Sequence, residues 1–340
     1  MSTASQPQAP SPAIIFDTLN AYQRTAALRG AIDLNVFTII AEGSKTSRAI
    51  SGRIGASEKG TRVLCDFLTV IGFLTKQGNE YSLTQDSAVF LNRQSPAYMG
   101  TVAEFLGIEQ IAGAFHDMAG LVRKGGTLLD GEGTVSADNP IWVNFARTMA
   151  PLMAMPSELI AKMIGADSGE KWKVLDIAAG HGLFGIAIAK HNPNAQIVAV
   201  DWAPVVEVAK ENAQKAGVGG RHSSIPGSAF DVDFGSGYNI VLLTNFLHHF
   251  GVPANEDLLR KVYTALAPGG RAVTLEFVPN EDRVSPPTDA MFSMMMLGGT
   301  AEGDAYTFSE YDRMFRSAGF ARSEMRELTP LPQRVIVSYK

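Results

Sequence analysis

Between residues 174 and 185 a run of strand-forming residues stops at a cluster of glycines and restarts with helical spacing: Val174-Leu-Asp-Ile-Ala-Ala-Gly-His-Gly182, then Leu183-Phe184-Gly185. Gly180, Gly182 and Gly185 spell G-x-G-x-x-G, and glycines at such a turn let the backbone bend sharply and approach a ligand closely. From Lys173 onward the apolar pattern alternates between periods of two and of about 3.6. It predicts strands over 174–177, 196–200, 239–245, 271–277 and 333–339. Helices are predicted over 183–190, 204–216, 255–266 and 308–318. Such alternation implies a parallel sheet with helices on both faces. Ligands of these sheets bind beyond the carboxyl ends of the strands, so the residues just after Ile177, Val200, Leu243 and Leu275 should share one crevice.

The 340 residues suggest about two domains at roughly 150 residues each. Residues 1–12 are rich in Ser, Ala, Gln and Pro and read as a disordered tail, with no basic-then-apolar signal pattern. Residues 13–95 read as short helices followed by a hairpin. One apolar face runs through Leu19, Tyr22, Ala26 and Leu28, and a second through Ile32, Leu34, Phe37 and Ile40. A third helix spans 61–71, capped by Ser57 and ended by Gly72. Phe73-Leu74-Thr75-Lys76 and Tyr81-Ser82-Leu83 flank the turn Gln77-Gly78-Asn79. Three helices and a hairpin make a winged-helix pattern. Its third helix offers only Lys59 and Arg62 against Glu58 and Asp66, a poor DNA-reading face, so packing or dimerisation is expected instead. Residues 96–340 form the second expected domain, opening with a helical stretch, 96–165, that is interrupted at Gly125-Gly126 and Asp130-Gly131-Glu132-Gly133.

The net charge of −5 argues against general affinity for nucleic acid or anionic membrane. No apolar run reaches the length of about 18 residues needed for a membrane span. The lone Cys65 lies in an apolar run and cannot form an internal disulfide, which suits a reducing, cytoplasmic setting.

Asp201 ends the strand after the glycine turn, about 20 residues on, where a carboxylate accepts hydrogen bonds from ribose hydroxyls. Ribose alone does not separate a nicotinamide dinucleotide from S-adenosylmethionine. Asp176 does, because a carboxylate just before the glycines is unhelpful beside a pyrophosphate and suits a cationic ligand without phosphate. The turn Ala267-Pro268-Gly269-Gly270 before the strand that ends at Glu276 points the same way, and Trp202 stands ready to flank an adenine.

Asn245-Phe246-Leu247-His248-His249-Phe250 follows the strand over 239–245 and should overlook the same crevice. A phenol with pKa near 10 is mostly protonated at neutral pH, so an attacking hydroxyl needs a base. A neutral imidazole suits that task. Adjacent side chains rarely point the same way, so one histidine is expected to act: His248, oriented by Glu276. No further histidine has a spacing that suggests a metal site.

These segments, with Val200-Asp201-Trp202, Gly227-Ser228-Ala229-Phe230 and Leu275-Glu276, resemble the bacterial branch of the plant-type small-molecule O-methyltransferases, from about Ile14 to the end of the chain. That family includes the caffeate-type and acetylserotonin-type enzymes. The resemblance implies an α/β, Rossmann-like class I methyltransferase fold with a mostly parallel seven-stranded sheet. It also implies an N-terminal winged-helix domain that makes a homodimer, S-adenosylmethionine as cofactor and a small, flat, aromatic hydroxyl compound as acceptor. The family's cofactor residues fall on Asp176, Ala178, Gly180, Asp201, Ser228, Ala229, Phe230 and Thr244, next to Trp202 and Asn245. Its general base falls on His248 and one supporting glutamate on Glu276. Phe145, Met149, Phe292, Met295 and Met296 fall on the acceptor side. The chain departs from the pattern at His249 (often Asp), Ser228 (an acid) and Thr244 (a lysine). A second supporting glutamate, expected near Ala305, is missing. Methyl transfer to nitrogen or carbon on the same fold, and a non-catalytic winged-helix regulator, are the rival expectations.

Overall fold

A computed structural model describes residues 10–136 and 139–340. Most of the tail expected over residues 1–12 therefore lies outside the described residues. The chain divides into two compact units, Met1–Glu104 and Phe105–Lys340.

In the first unit, helices Ala13–Leu19, Ala21–Asp33, Val36–Ala41, Ser47–Ile54 and Glu58–Val70 precede an antiparallel hairpin, β1 (Leu74–Gln77) and β2 (Glu80–Leu83). The apolar face anticipated through Ile32, Leu34, Phe37 and Ile40 is split, because Asn35 adopts φ 58° and starts a new helix. The helix Ser47–Ile54 escaped the sequence reading: it is short, and Ile50 and Ile54 are its only large apolar residues. Thr46 caps it by accepting from the Ala49 N–H. Ser57 caps the next helix through Gly60, as expected. Phe37, Ile50, Cys65, Leu68, Leu74 and Tyr81 fill the core of this unit. Burial pushes the Cys65 thiol up to about 11, so it behaves as a small apolar residue. Ile14, Ile15, Phe16, Leu19 and Tyr22 are exposed along the first helices.

The second unit is built on a seven-stranded sheet. In chain order its strands are β3 (Lys173–Ile177), β4 (Gln196–Asp201), β5 (His222–Pro226), β6 (Tyr238–Thr244), β7 (Leu266–Glu276), β8 (Arg322–Glu327) and β9 (Arg334–Tyr339). They lie in the order β5-β4-β3-β6-β7-β9-β8. The first five run parallel, and β9 is antiparallel to both β7 and β8. Side chains alternate between two cores: Val174, Ile240, Leu242, Val273 and Leu275 face one, and Leu175, Ile177, Val200, Val241 and Leu243 the other. Two strands were not foreseen. His222-Ser-Ser-Ile-Pro226 and Arg322-Ser-Glu-Met-Arg-Glu327 are the two edges of the sheet, and edge strands need no apolar run. The turn at 267–270 loops out within β7: Leu266 still pairs with Tyr238, while Arg271 pairs with Ile240. Among the described residues no helix is long and apolar enough to cross a membrane.

The order of the sheet reverses at β3, which lies between β4 and β6. The crevice at the carboxyl ends of these strands is where a ligand of such a sheet binds, and the glycine segment leads into it.

Candidate active site

After β3 the chain turns on three residues with positive φ: Ala178 (52°), Gly180 (55°) and Gly182 (74°). At Gly182 nothing larger fits, since a Cβ would lie 2.9 Å from that of Ala209 on the helix Ala203–Lys215. At Gly185 a Cβ would lie 2.7 Å from Ile197 of β4, so that glycine allows the helix Leu183–His191 to press onto the sheet. Ala178 is not a glycine, and its left-handed backbone stores strain at the mouth of the crevice. Asp201 holds the loop from the neighbouring strand: its Oδ2 accepts from the Gly180 N–H at 2.8 Å and its Oδ1 from the Trp202 N–H at 2.8 Å. Burial pushes the Asp201 carboxyl up to about 6, against the pull of those two N–H donors.

This loop forms one side of a cavity of about 400 Å³. Every residue expected to hold the cofactor lines it except Asp176: Ala178, Gly180, Asp201, Trp202, Ser228, Ala229, Phe230, Thr244 and Asn245. Asp176 is buried behind the loop, where Oδ2 accepts from the Gly185 N–H at 3.1 Å. Its Oδ1 has no partner among the described residues. Burial drives its pKa up to about 7, the Gly185 N–H lowers it, and the charge of Asp201 raises it further.

The donor set fits a cationic ligand without phosphate. Glu132, Asp201 and Asp231 line the cavity, and among the described residues no Lys or Arg does. A pyrophosphate would find carboxylates where it needs cations, whereas a sulfonium and an ammonium find complementary charge.

The histidine pair follows β6. Asn245 takes φ 53°, its N–H bonds the Leu275 carbonyl at 2.8 Å, and the chain winds into a short 3-10 turn, Leu247–His249. Asn255 Nδ2 staples that turn by donating to the carbonyls of Leu247 (2.9 Å) and Phe250 (3.1 Å). Glu276, at the end of β7, is fully buried. Its Oε1 accepts the N–H groups of Phe246 and Leu247, both at 3.0 Å, and its Oε2 bonds His248 Nδ1. The two residues that the sequence paired are thus in direct contact. A carboxylate on Nδ1 keeps that proton in place and leaves Nε2 as the acceptor.

His248 is buried and is not among the residues lining the cavity, while His249 is. The His249 ring packs against those of His248 (centroids 4.2 Å apart) and Trp142 (5.2 Å). Its Nδ1 is buried without a partner among the described residues. Burial first, and His248 second, hold its pKa well below the usual imidazole range, so it is neutral. His181 is also neutral: burial lowers it to about 4, and its Nδ1 accepts from the Leu183 N–H at 3.2 Å. Among the described residues no cluster of three or more His, Cys, Asp or Glu could hold a metal ion.

The residues expected on the acceptor side separate. Phe145 lines the cavity, beside Trp142 at 5.7 Å and stacked over His181 at 6.5 Å. Met149 and Met296 are buried and Met295 is half-buried, and none of the three lines the cavity. Phe292 does not line it either, and packs on His248. The sequence reading did not single out Glu132, Val135 and Trp142 as cavity residues. Glu132 and Val135 sit in an irregular segment that Thr127 and Thr134 stitch to Thr300 and Gly299 through backbone hydrogen bonds of 2.8 and 2.9 Å, and Trp142, in the helix Ile141–Thr148, donates from Nε1 to the Thr134 carbonyl at 3.0 Å. No local pattern marks such a long-range pairing.

Two protein-family profiles match the chain: an O-methyltransferase domain over residues 147–321 and an O-methyltransferase dimerisation domain over residues 16–93. The solved structure of a candidate O-methyltransferase from Nostoc punctiforme is 53% identical. It covers 98% of this chain and 100% of its own, with a TM-score of 0.95. The 3-hydroxy-5-methyl-1-naphthoate 3-O-methyltransferase of Streptomyces sahachiroi is 26% identical over 325 residues, 93% of this chain and 92% of that protein. The L-tyrosine C(3)-methyltransferase of Streptomyces lavendulae is 24% identical over 308 residues, 86% of this chain and 82% of that one.

Proposed function

This chain belongs to the O-methyltransferase family, whose members draw their methyl group from S-adenosylmethionine, and from that premise we propose that it methylates a hydroxyl of a small aromatic molecule with His248 as general base. The buried contact between His248 and Glu276, next to the cavity wall, carries this assignment.

S-adenosylmethionine, when bound, supplies an electrophilic methyl on a sulfonium. Asp201 is suited to accept the ribose hydroxyls, and Trp202 with Phe230 to flank the adenine. The carboxylates along the wall balance the positive charge, and Asp176 supports the loop from behind. Phe145 and Trp142 offer aromatic surface to a flat acceptor. As the acceptor oxygen attacks, its proton passes to His248 Nε2. The imidazolium then keeps its Nδ1–H on Glu276, whose negative charge stabilises it. Holding both reactants in one cavity supplies the remaining rate.

The tyrosine C(3)-methyltransferase relative favours a second outcome. Deprotonating a phenol also enriches the ring carbon beside the oxygen, so the same base serves carbon methylation.

The chain carries the family's dimerisation domain. The exposed apolar residues from Ile14 to Tyr22 are proposed as part of the surface that a second copy covers. The lone, buried Cys65 is the ground for proposing a reducing, cytoplasmic setting.

The direct test is His248→Ala. Methyl transfer to a hydroxylated aromatic should fall by about 10²–10⁴-fold with S-adenosylmethionine binding intact. A variant of full activity would remove His248 from the mechanism.

A further inference from the structure

A base must be aimed as well as basic, and one hydrogen bond does not fix an imidazole, which remains free to swing about it. Among the described residues the His248 ring is tied by a hydrogen bond only at Nδ1, to Glu276. At the place where the family resemblance would put a second carboxylate the chain has Ala305, which is buried and has none to offer.

We propose that Phe292 is a positioning residue that supplies the missing constraint by steric contact. Its ring lies 4.8 Å from that of His248, nearly perpendicular at 78°, and is stacked on Phe277 at 4.1 Å and 21°. Phe277 directly follows Glu276 in the chain. Glu276 therefore grips one end of the imidazole, while the next residue backs the phenyl ring that packs against it. His249, 4.2 Å away, packs against the imidazole as well. The imidazole is left with Nε2, which makes no hydrogen bond to the described residues, as the group that meets the acceptor.

Phe292 is also carried on a fixed support. It belongs to the helix Pro287–Gly299. That helix packs its backbone so closely on Phe115 that a Cβ at Gly298 would come within 2.8 Å of the ring. Beyond Gly298, Gly299 and Thr300 are bonded to Thr134 and Thr127. A ring fixed this firmly can hold another in place. Phe292 packs on the imidazole of His248, and its effect on the reaction is proposed to run through that ring.

This inference rests on His248 being the base, and the experiment separates the two claims. Phe292→Ala, Phe292→Tyr and His248→Ala are compared with the native chain, using 2-hydroxynaphthalene as acceptor probe and S-adenosylmethionine. Phe292→Ala should lower kcat by about tenfold or more, change the KM for the probe less than threefold and leave cofactor affinity unchanged. Phe292→Tyr, which keeps the ring, should recover most of kcat. In a crystal structure of Phe292→Ala the imidazole should be turned from Glu276 or spread over several orientations, a readout that stands whether or not the probe is methylated. A raised KM with kcat unchanged would make Phe292 an acceptor contact and overturn the proposal. So would an imidazole that keeps its native position in the variant crystal. Native activity in His248→Ala would instead strike at the base itself.

Discussion

His248 Nδ1 and Glu276 Oε2 are bonded across 28 residues of chain, with side-chain exposures of 4% and 0%. The bond fixes which imidazole nitrogen carries the proton, and this makes Glu276→Gln a sharper probe than removal of the side chain. The amide turns an N–H toward Nδ1, so the proton shifts to Nε2 and the acceptor loses its base. Glu276→Gln should therefore match His248→Ala, with kcat down about 10²–10⁴-fold. Equilibrium dialysis should find S-adenosylmethionine affinity unchanged in both, since neither side chain is among those expected to hold the cofactor.

Asp201 leads to a pH prediction. Burial holds its carboxyl near 6, so it is ionised above that value and protonated below it. Only the ionised form offers full acceptors to the Gly180 N–H and to a ribose. Affinity for S-adenosylmethionine should fall as pH drops through about 6, and calorimetric titration between pH 5 and 8 should follow it. Asp201→Asn should bind at least about tenfold more weakly, with that pH dependence removed.

Asp176 predicts a trade of stability against binding. Its pKa rises from 3.8 when unfolded to about 7 when folded. The folded chain therefore holds a proton that the unfolded chain has released, and stability falls as pH climbs through that window. Above about 7 the buried, half-partnered carboxylate is ionised at a cost on the order of 2–4 kcal/mol. Asp176→Asn should raise the melting temperature of the ligand-free protein at pH 8, with little effect near pH 4. It should also weaken cofactor binding at pH 8, where the native charge lies behind the loop that is expected to hold a cation.

Gly182→Ala tests the loop. The substitution places a Cβ at φ 74° and 2.9 Å from Ala209. The expected cost is about 2 kcal/mol, from the left-handed backbone and the clash together. Denaturant titration would measure it, and cofactor affinity should fall with it.

The parts of this architecture legible from sequence are those fixed by local pattern. The glycine segment, the apolar runs of β3, β4 and β6 and the acid at Asp201 each announce themselves within about ten residues. The edge strands β5 and β8 do not, because one sheet edge and a polar surface ask little of their side chains. The break at Asn35 is equally hidden, since the apolar spacing runs straight through it while the backbone does not.

Within the candidate site, the residues expected to hold the cofactor line one cavity, Asp176 excepted. They follow strand ends, and strand ends could be counted. The residues expected on the acceptor side depend on how the helix Pro287–Gly299 and the segment around Glu132 are paired with each other across the chain. Spacing in the chain says nothing of which methionine faces in, and the structure turns Phe292 onto His248 while Trp142 and Val135 join the wall.

The most direct measurement is the fate of the methyl group. The protein would be incubated with S-adenosylmethionine carrying ¹³C in its methyl and with a panel of hydroxylated aromatics, and the products read by NMR. The account predicts the label as an aromatic methyl ether, formed by the native chain and lost in His248→Ala. Label on a ring carbon or a nitrogen, or an ether formed equally well without His248, would contradict it.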